Sequence, residues 1–214
     1  MDSHYIKVLP FIFEGFWLTL GITLIGLLFG FILGALAGIG RLSKNKLVYG
    51  ISTVYVEVVR GTPMLMQILF IYFGISDLTG INIDKVTAAI IAISINAGAY
   101  IAEIVRGAVY SIDPGQREAG RSIGLTKQQT MRYIIWPQAF KRMIPPLGNQ
   151  FVISLKDTSL FSVIAVHEML FMARQYYNAT FATFEALAML GVVYLIITIP
   201  ASIILSRVER RLDV

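Results

Sequence analysis

Four ionisable side chains stand inside otherwise apolar stretches: Glu57 and Arg60 in one, Glu103 and Arg106 in another. Each pair has opposite signs at i,i+3, so on a helix each could neutralise itself. Thr53, Glu57, Arg60, Met64 and Gln67 recur at steps of four and three, as do Asn96, Tyr100, Glu103, Arg106 and Tyr110. With a period near 3.6, each set lies along one face of a helix. Thr62 extends the first face, and Pro63 beside it lacks an N–H donor and so frees a backbone carbonyl. Lys156-Asp157-Thr158-Ser159 makes a third polar cluster. Two arrangements remain open for these residues, a structural ion-pair network between helices and the lining of a path for a polar solute. For the path, Glu57, Asn96, Glu103, Asp157 and Thr158 are the groups expected to meet the solute. Acidic groups would hold an ammonium or a cationic side chain, while Arg60, Arg106 and Lys156 could meet a carboxylate. A channel or ion-coupled carrier could use the same faces.

No Ser–His, Asp–Asp or His–carboxylate set occurs at a spacing useful for catalysis, so no catalytic residue is expected. His167-Glu168 begins a zinc-like pattern, but Phe171 stands where the second His is needed, and the chain has two histidines in all. No metal site is expected.

A membrane-embedded frame must position these groups. Of 214 residues, 56% are hydrophobic and only 14% charged, with a mean hydropathy of +0.71. Soluble domains average about 25% charged residues, and disordered chains are far less apolar. With no cysteine, disulfides, thiolate metal sites and cysteine nucleophiles are excluded. A bilayer core needs about 20 apolar helical residues. Between Glu14 and Arg41 lie 26 uncharged residues, and between Glu185 and Arg207 another 21. The first of these has neither a basic flank before it nor a small-residue cleavage site, so it is expected to stay as a span. Five spans are expected, at about 15–40, 48–74, 86–110, 139–157 and 186–206. Ser159 to Met172 is apolar but too short to cross, and is expected as an interfacial or re-entrant helix.

Twelve of the Lys and Arg residues fall in the 41–47 loop, the 111–142 segment and the tail, against Lys7, Lys85, Lys156 and Arg174 elsewhere. That bias predicts the N-terminus outside and the C-terminus inside. The fold class expected is therefore all-α, a polytopic membrane protein of one domain over 1–214. Five spans are few for a complete pathway, so a second subunit is expected. Gly26, Gly30, Gly34 and Gly38 allow close backbone approach, either within the subunit or to a partner.

The inner segment, about 113–137, reads as two short helices. Asp113 and Pro114 start the first, Gly124 stops it, Thr126 with Gln129 starts the second, and Pro137 ends it. Ala119, Ile123, Leu125, Met131, Ile134 and Ile135 are expected as its apolar contacts. Lacking a long basic face and flanked by spans, it predicts no nucleic-acid binding.

Within that segment Glu118-Ala119-Gly120, three residues, Gly124, nine residues, Ile134, one residue and Trp136-Pro137 resemble the EAA signature of ABC importer permeases. The family pattern has Ala and Leu where this chain has Gly120 and Trp136. Glu57 with Arg60-Gly61-Thr62-Pro63, Ala99 to Glu103 with Arg106-Gly107, and Leu155 to Leu160 resemble the polar amino-acid uptake permeases. The resemblance runs from about Gly15 to Arg211. It implies a type I importer fold in a bacterial inner membrane and a substrate site drawing on Glu57, Arg60, Thr62, Asn96, Glu103, Lys156, Asp157, Thr158 and Ser159. Coupling would pass through Glu118, Ala119, Gly120, Gly124, Ile134 and Pro137. It further implies partner ATPases that bind ATP and Mg, a second permease subunit (homodimer or heterodimer), and an extracytoplasmic binding protein. The substrate is expected to be a basic amino acid first, glutamine or a similar polar one second. The chain has no phosphate-binding loop of its own, so it is expected to be no enzyme and to bind no cofactor.

Overall fold

The structure, a computed structural model, describes residues 4–212. All regular elements are helical. After a turn at His4–Lys7 comes α1 (Leu9–Gly40), then α2 (Lys46–Arg60), α3 (Met64–Thr79) and α4 (Lys85–Tyr110). The inner hairpin is α5 (Pro114–Ser122) and α6 (Lys127–Thr130), followed by α7 (Trp136–Asp157), α8 (Met169–Thr180) and α9 (Thr183–Arg211).

Local chemistry sets the boundaries. The Asn45 side chain accepts hydrogen bonds from the Leu47 and Val48 N–H groups at 2.9 and 3.4 Å and starts α2. Asp84 does the same for α4, accepting from Val86 and Thr87 at 3.0 and 3.1 Å. A hydrogen bond from the Thr87 hydroxyl, with those N–H bonds, holds its carboxyl below the usual aspartate range. Gly80 ends α3 in the left-handed conformation at φ +70°.

Helices His4–Gly40, Lys85–Tyr110 and Thr183–Arg211 are long and apolar enough to cross a bilayer, and α2 with α3 makes a fourth crossing if the bent pair is one span. The expected span at 139–157 lies in α7, which has the length, 22 residues, but carries Lys141, Arg142, Lys156 and Asp157.

Gly26, Gly30, Gly34 and Gly38 of α1 face α4. A Cβ on Gly26, Gly34 or Gly38 would lie within 2.6–2.7 Å of Ile93, Ile101 or Val105 respectively, and one on Gly30 would lie 3.2 Å from Ala97. Position numbers rise together on both helices, so α1 and α4 run parallel, with α2 and α3 as the return. The glycine stripe thus serves packing within the subunit. A second core joins Val8 and Ile12 of the N-terminal region to Met169 and Ala173 of α8 and Ala186 and Leu190 of α9.

Ser159 to Met172 is not one helix. A 3-10 turn at Thr158–Ile164 buries Phe161 and Ile164, and the chain then reverses at Ala165 with φ 57°. Glu168 starts α8 by accepting from the Leu170 and Phe171 N–H groups at 2.8 and 2.6 Å. The turn also lies against Gly15 of α1, where a Cβ would come 2.6 Å from the Glu168 carbonyl carbon. Burial pushes the Glu168 carboxyl up to about 7, against the two N–H groups that favour its ionised form. Because the folded value exceeds the ordinary 4.5, this group's stabilisation is complete below 4.5 and fades as pH rises through 7. The detergent-solubilised protein should lose stability on the order of 1–3 kcal/mol between pH 5 and 8 through this group. Glu168→Gln should flatten that part of the melting-temperature profile, and an unchanged slope would contradict the assignment.

Candidate functional site

The first layer of the site is a hinge. Pro63, in extended conformation (ψ 137°), separates α2 from α3, and the two helices meet at 105°. A break of this kind leaves carbonyls without helical partners, a costly state in an apolar medium. Gln67 answers it: its Nε2 donates to the Val59 carbonyl at 2.7 Å, the Thr62 carbonyl at 3.1 Å and the Thr62 hydroxyl at 2.9 Å. The Thr62 hydroxyl in turn donates to the Val58 carbonyl at 2.9 Å. Asn96, buried on α4, donates from Nδ2 to the Gln67 Oε1 at 3.0 Å. The carbonyls freed by Pro63 are thus held by the protein's own amide, and Thr62, Gln67 and Asn96 form one hydrogen-bonded set between the hinge and α4.

The second layer is a five-charge cluster about 10 Å further along α4, one seven-residue step from Asn96 to Glu103. Glu103 receives Arg41 on Oε1, Arg106 on Oε2 at 2.8 Å and Arg60 on Oε2 at 3.5 Å. Arg41 also reaches Glu57 at 3.1 Å. Of the two expected local pairs, Glu103–Arg106 forms. Glu57–Arg60 does not, because Glu57 turns to Arg41 while Arg60 crosses to α4. Arg41 is only 8% exposed, whereas Glu57 is 62% exposed. Arg60 and Arg106 are also open on one side, and lie over the rings of Tyr100 and Tyr110 at 5.3 and 5.7 Å. Three guanidinium groups and two carboxylates leave one net positive charge. A charged face of this kind is too costly to present to lipid tails. It has to meet water or other protein.

Lys156 to Ser159 lies elsewhere, where α7 tightens into the 3-10 turn. Thr158, fully buried, donates to the Leu155 carbonyl at 2.6 Å, and Ser159 to the Lys156 carbonyl at 2.8 Å. Among the described residues no hydrogen bond or ion pair joins this group to Glu57 or Glu103. The nine expected site residues therefore fall into three groups: Thr62 with Asn96, Glu57 with Arg60 and Glu103, and Lys156 to Ser159.

The inner hairpin has the predicted start and stop signals. Asp113 accepts from Gly115 at 2.6 Å, Gly124 takes φ +86°, and Thr126 and Gln129 form a reciprocal capping box. Gly120 touches α6 and the turn beyond it so closely that a Cβ would lie 2.8 Å from both Ile134 and Thr130. The departure to glycine thus lets the two helices approach closely. Pro137 does not end the second helix. A π turn at Met131–Ile135 carries α6 directly into α7, and Pro137 follows that wider turn as the second residue of α7. Ile123 is 76% exposed and Ala119 and Glu118 are also exposed, so these three point out of the hairpin and are not among its internal contacts.

Residues 26–214 match the family model described as the inner membrane component of binding-protein-dependent transport systems. The chain belongs to this family. This inner-membrane component is 46% identical to the glutamine transport system permease protein GlnP of Escherichia coli, over 96% of its own length and 94% of the relative's. It is 34% identical to the arginine transport system permease protein ArtQ of Bacillus subtilis, over 98% and 96%. Its fold superposes with a TM-score of 0.93 on a chain of a crystal structure described as an amino acid ABC transporter with histidines, at 36% identity over 99% of this chain and all of that one. The MetNI methionine ABC transporter, inward facing, shares the fold at a TM-score of 0.73 and 20% identity.

Two residues of this component's polar layers were not among the expected site residues. Gln67 lies on the predicted stripe, but its role depends on the hinge. Arg41 counts as a loop cation in the charge tally. Its position three residues after Gly38 continues the four-and-three spacing of the glycine face, and that spacing points it at α4.

Proposed function

We propose that this chain is the transmembrane subunit of an ATP-driven importer of a polar or basic L-amino acid. The observation that carries the proposal is the half-open charged face of Glu57, Arg60 and Arg106 in a chain related over nearly its whole length to amino-acid permeases. Five spans carry the termini to opposite sides, and the bias of Lys and Arg toward the 41–47 loop, the 111–142 segment and the tail favours the N-terminus outside and the C-terminus inside. The polar layers of two permease subunits border the path, and the substrate passes the Asn96–Thr62 layer and then the Glu103 cluster. Asp157, Thr158 and Ser159, with Lys156, border it where α7 ends. Greater identity to GlnP than to ArtQ favours glutamine over the basic substrate that the residues by themselves suggest.

An extracytoplasmic binding protein delivers the amino acid. Cytoplasmic ATPase subunits, which bind ATP and Mg, dock against the exposed side of the inner hairpin. Because α6 runs without a stop into α7, displacement of the hairpin is transmitted along a continuous helical rod. Glu118, exposed on α5, and Gly120, in the crevice between α5 and α6, serve the docking and the rigidity of this lever. Glu118→Lys should leave membrane insertion intact and reduce binding-protein-stimulated ATP hydrolysis at least tenfold, about 1.4 kcal/mol of coupling. Stimulated hydrolysis at the unmodified rate, measured in proteoliposomes, would refute the docking role.

A further inference from the structure

A cavity of about 340 Å³ lies between the α1–α2 loop and the inner hairpin, and none of the residues of the two polar layers lines it. Lys44, Arg117, Arg121 and Lys127 line it, and no carboxylate does. Its remaining lining is Thr130, Met131 and Ile135, the last fully buried. The cations are not consumed by internal partners. Arg121 gives one hydrogen bond to the Leu125 carbonyl at 2.8 Å and Arg117 one to the Val109 carbonyl at 3.2 Å. The Nε of Arg117 is buried with no hydrogen-bond acceptor. Four like charges around one concavity repel one another.

We infer that this cavity binds a phosphate-bearing anion, which would supply the negative charge that the lining lacks. Guanidinium forks match phosphate oxygens, and lysines add point charge without demanding direction. The setting favours the headgroup of an acidic phospholipid as the source. Lys44 lies four residues past Gly40 at the end of α1, Arg117 seven past Tyr110 at the end of α4, and Met131 gives the cavity an apolar side where the glycerol end of a lipid can lie. Basic pockets at the cytoplasmic ends of membrane helices attract such headgroups. The assignment to the inner leaflet rests on the topology proposed above, while the anion chemistry rests on the cavity alone.

The test uses the purified complex of this chain with its ATPase, stripped of lipid in neutral detergent. Binding of phosphatidylglycerol, phosphatidylcholine, glycerol 3-phosphate and inorganic phosphate is followed by thermal stabilisation and by native mass spectrometry. The double variant Lys44→Gln/Arg121→Gln removes two exposed cations and spares Arg117, whose contact to Val109 supports the fold. Phosphatidylglycerol should stabilise the unmodified complex, phosphatidylcholine should not, and the variant should bind the acidic lipid about 30-fold more weakly. Equal stabilisation by glycerol 3-phosphate or inorganic phosphate, again lost in the variant, would support the site and assign its source to a free phosphate. No anion dependence, or the same dependence in the variant, would overturn the inference. So would loss of the ATPase from the variant with anion binding unchanged, since the cations would then serve the protein partner. A complex that binds the acidic lipid as expected yet fails to import amino acids would contradict the proposed function and leave this site standing.

Discussion

Gly34→Ala should weaken the protein by about 1–3 kcal/mol, and Gly34→Leu should yield little folded material. A Cβ at this position would lie 2.6 Å from the Gly98 carbonyl oxygen and 2.6 Å from the Ile101 Cβ. The first of these is backbone and the second a β-branched carbon, so neither can swing aside. Helix separation would propagate, because the same face carries Gly30 toward Ala97 and Gly38 toward Val105, and then Arg41 toward Glu103. Gly21→Ala on the same helix meets nothing within 4 Å and is the matched control. Melting curves in detergent decide the matter. If both variants unfold with the unmodified protein, close α1–α4 packing is not what holds the subunit together.

The second large effect is expected at Arg41. Arg41→Met removes the cation at the end of α1 that, among the described residues, joins it to both α2 and α4, leaving Glu57 without that partner and Glu103 with Arg60 and Arg106. The loss should be about 2–3 kcal/mol, less than for a buried pair stripped of its only partner, since Glu103 keeps two cations. Arg60→Gln, by contrast, removes a 3.5 Å contact from a side chain 37% exposed and should cost within about 1 kcal/mol. Combining Arg41→Met with Glu103→Gln should recover part of the loss, because the uncompensated carboxylate is then gone. A cycle with no recovery, or an Arg41 variant no weaker than the Arg60 variant, would contradict the picture of a buried keystone cation.

Much of the architecture was legible because it rests on local or periodic rules. The glycine steps of α1 and the turn chemistry from Asp113 to Gln129 both follow from residue type and spacing. What could not be read was pairing across helices. Glu57 and Arg60 satisfy the i,i+3 rule equally well whether or not they touch, and the choice is made by Arg41, brought in by the packing of α1 on α4. Pro63 announces a break in the helix, but neither its 105° angle nor the answer of Gln67 to the freed carbonyls is a local property. Pro137 looks like a stop by the same rule that makes Pro63 a break. A π turn that ends two residues earlier lets the chain run on, and nothing in the residue types marks that turn in advance. The apolar run Ser159 to Met172 fails as a helix for a similar reason: Ala165 takes a left-handed backbone that its composition does not signal.

The most direct test of the transport assignment is amino-acid uptake into proteoliposomes carrying this chain, its ATPase and its binding protein, with ATP supplied on the hairpin side. Glutamine should accumulate against its gradient only with hydrolysable ATP, with the binding protein present, and with no dependence on a proton or sodium gradient. Glu103→Gln, which strips the acidic centre from the charged layer, should lower the rate at least tenfold without abolishing ATPase docking. Uptake that follows an ion gradient and ignores nucleotide would contradict the account outright.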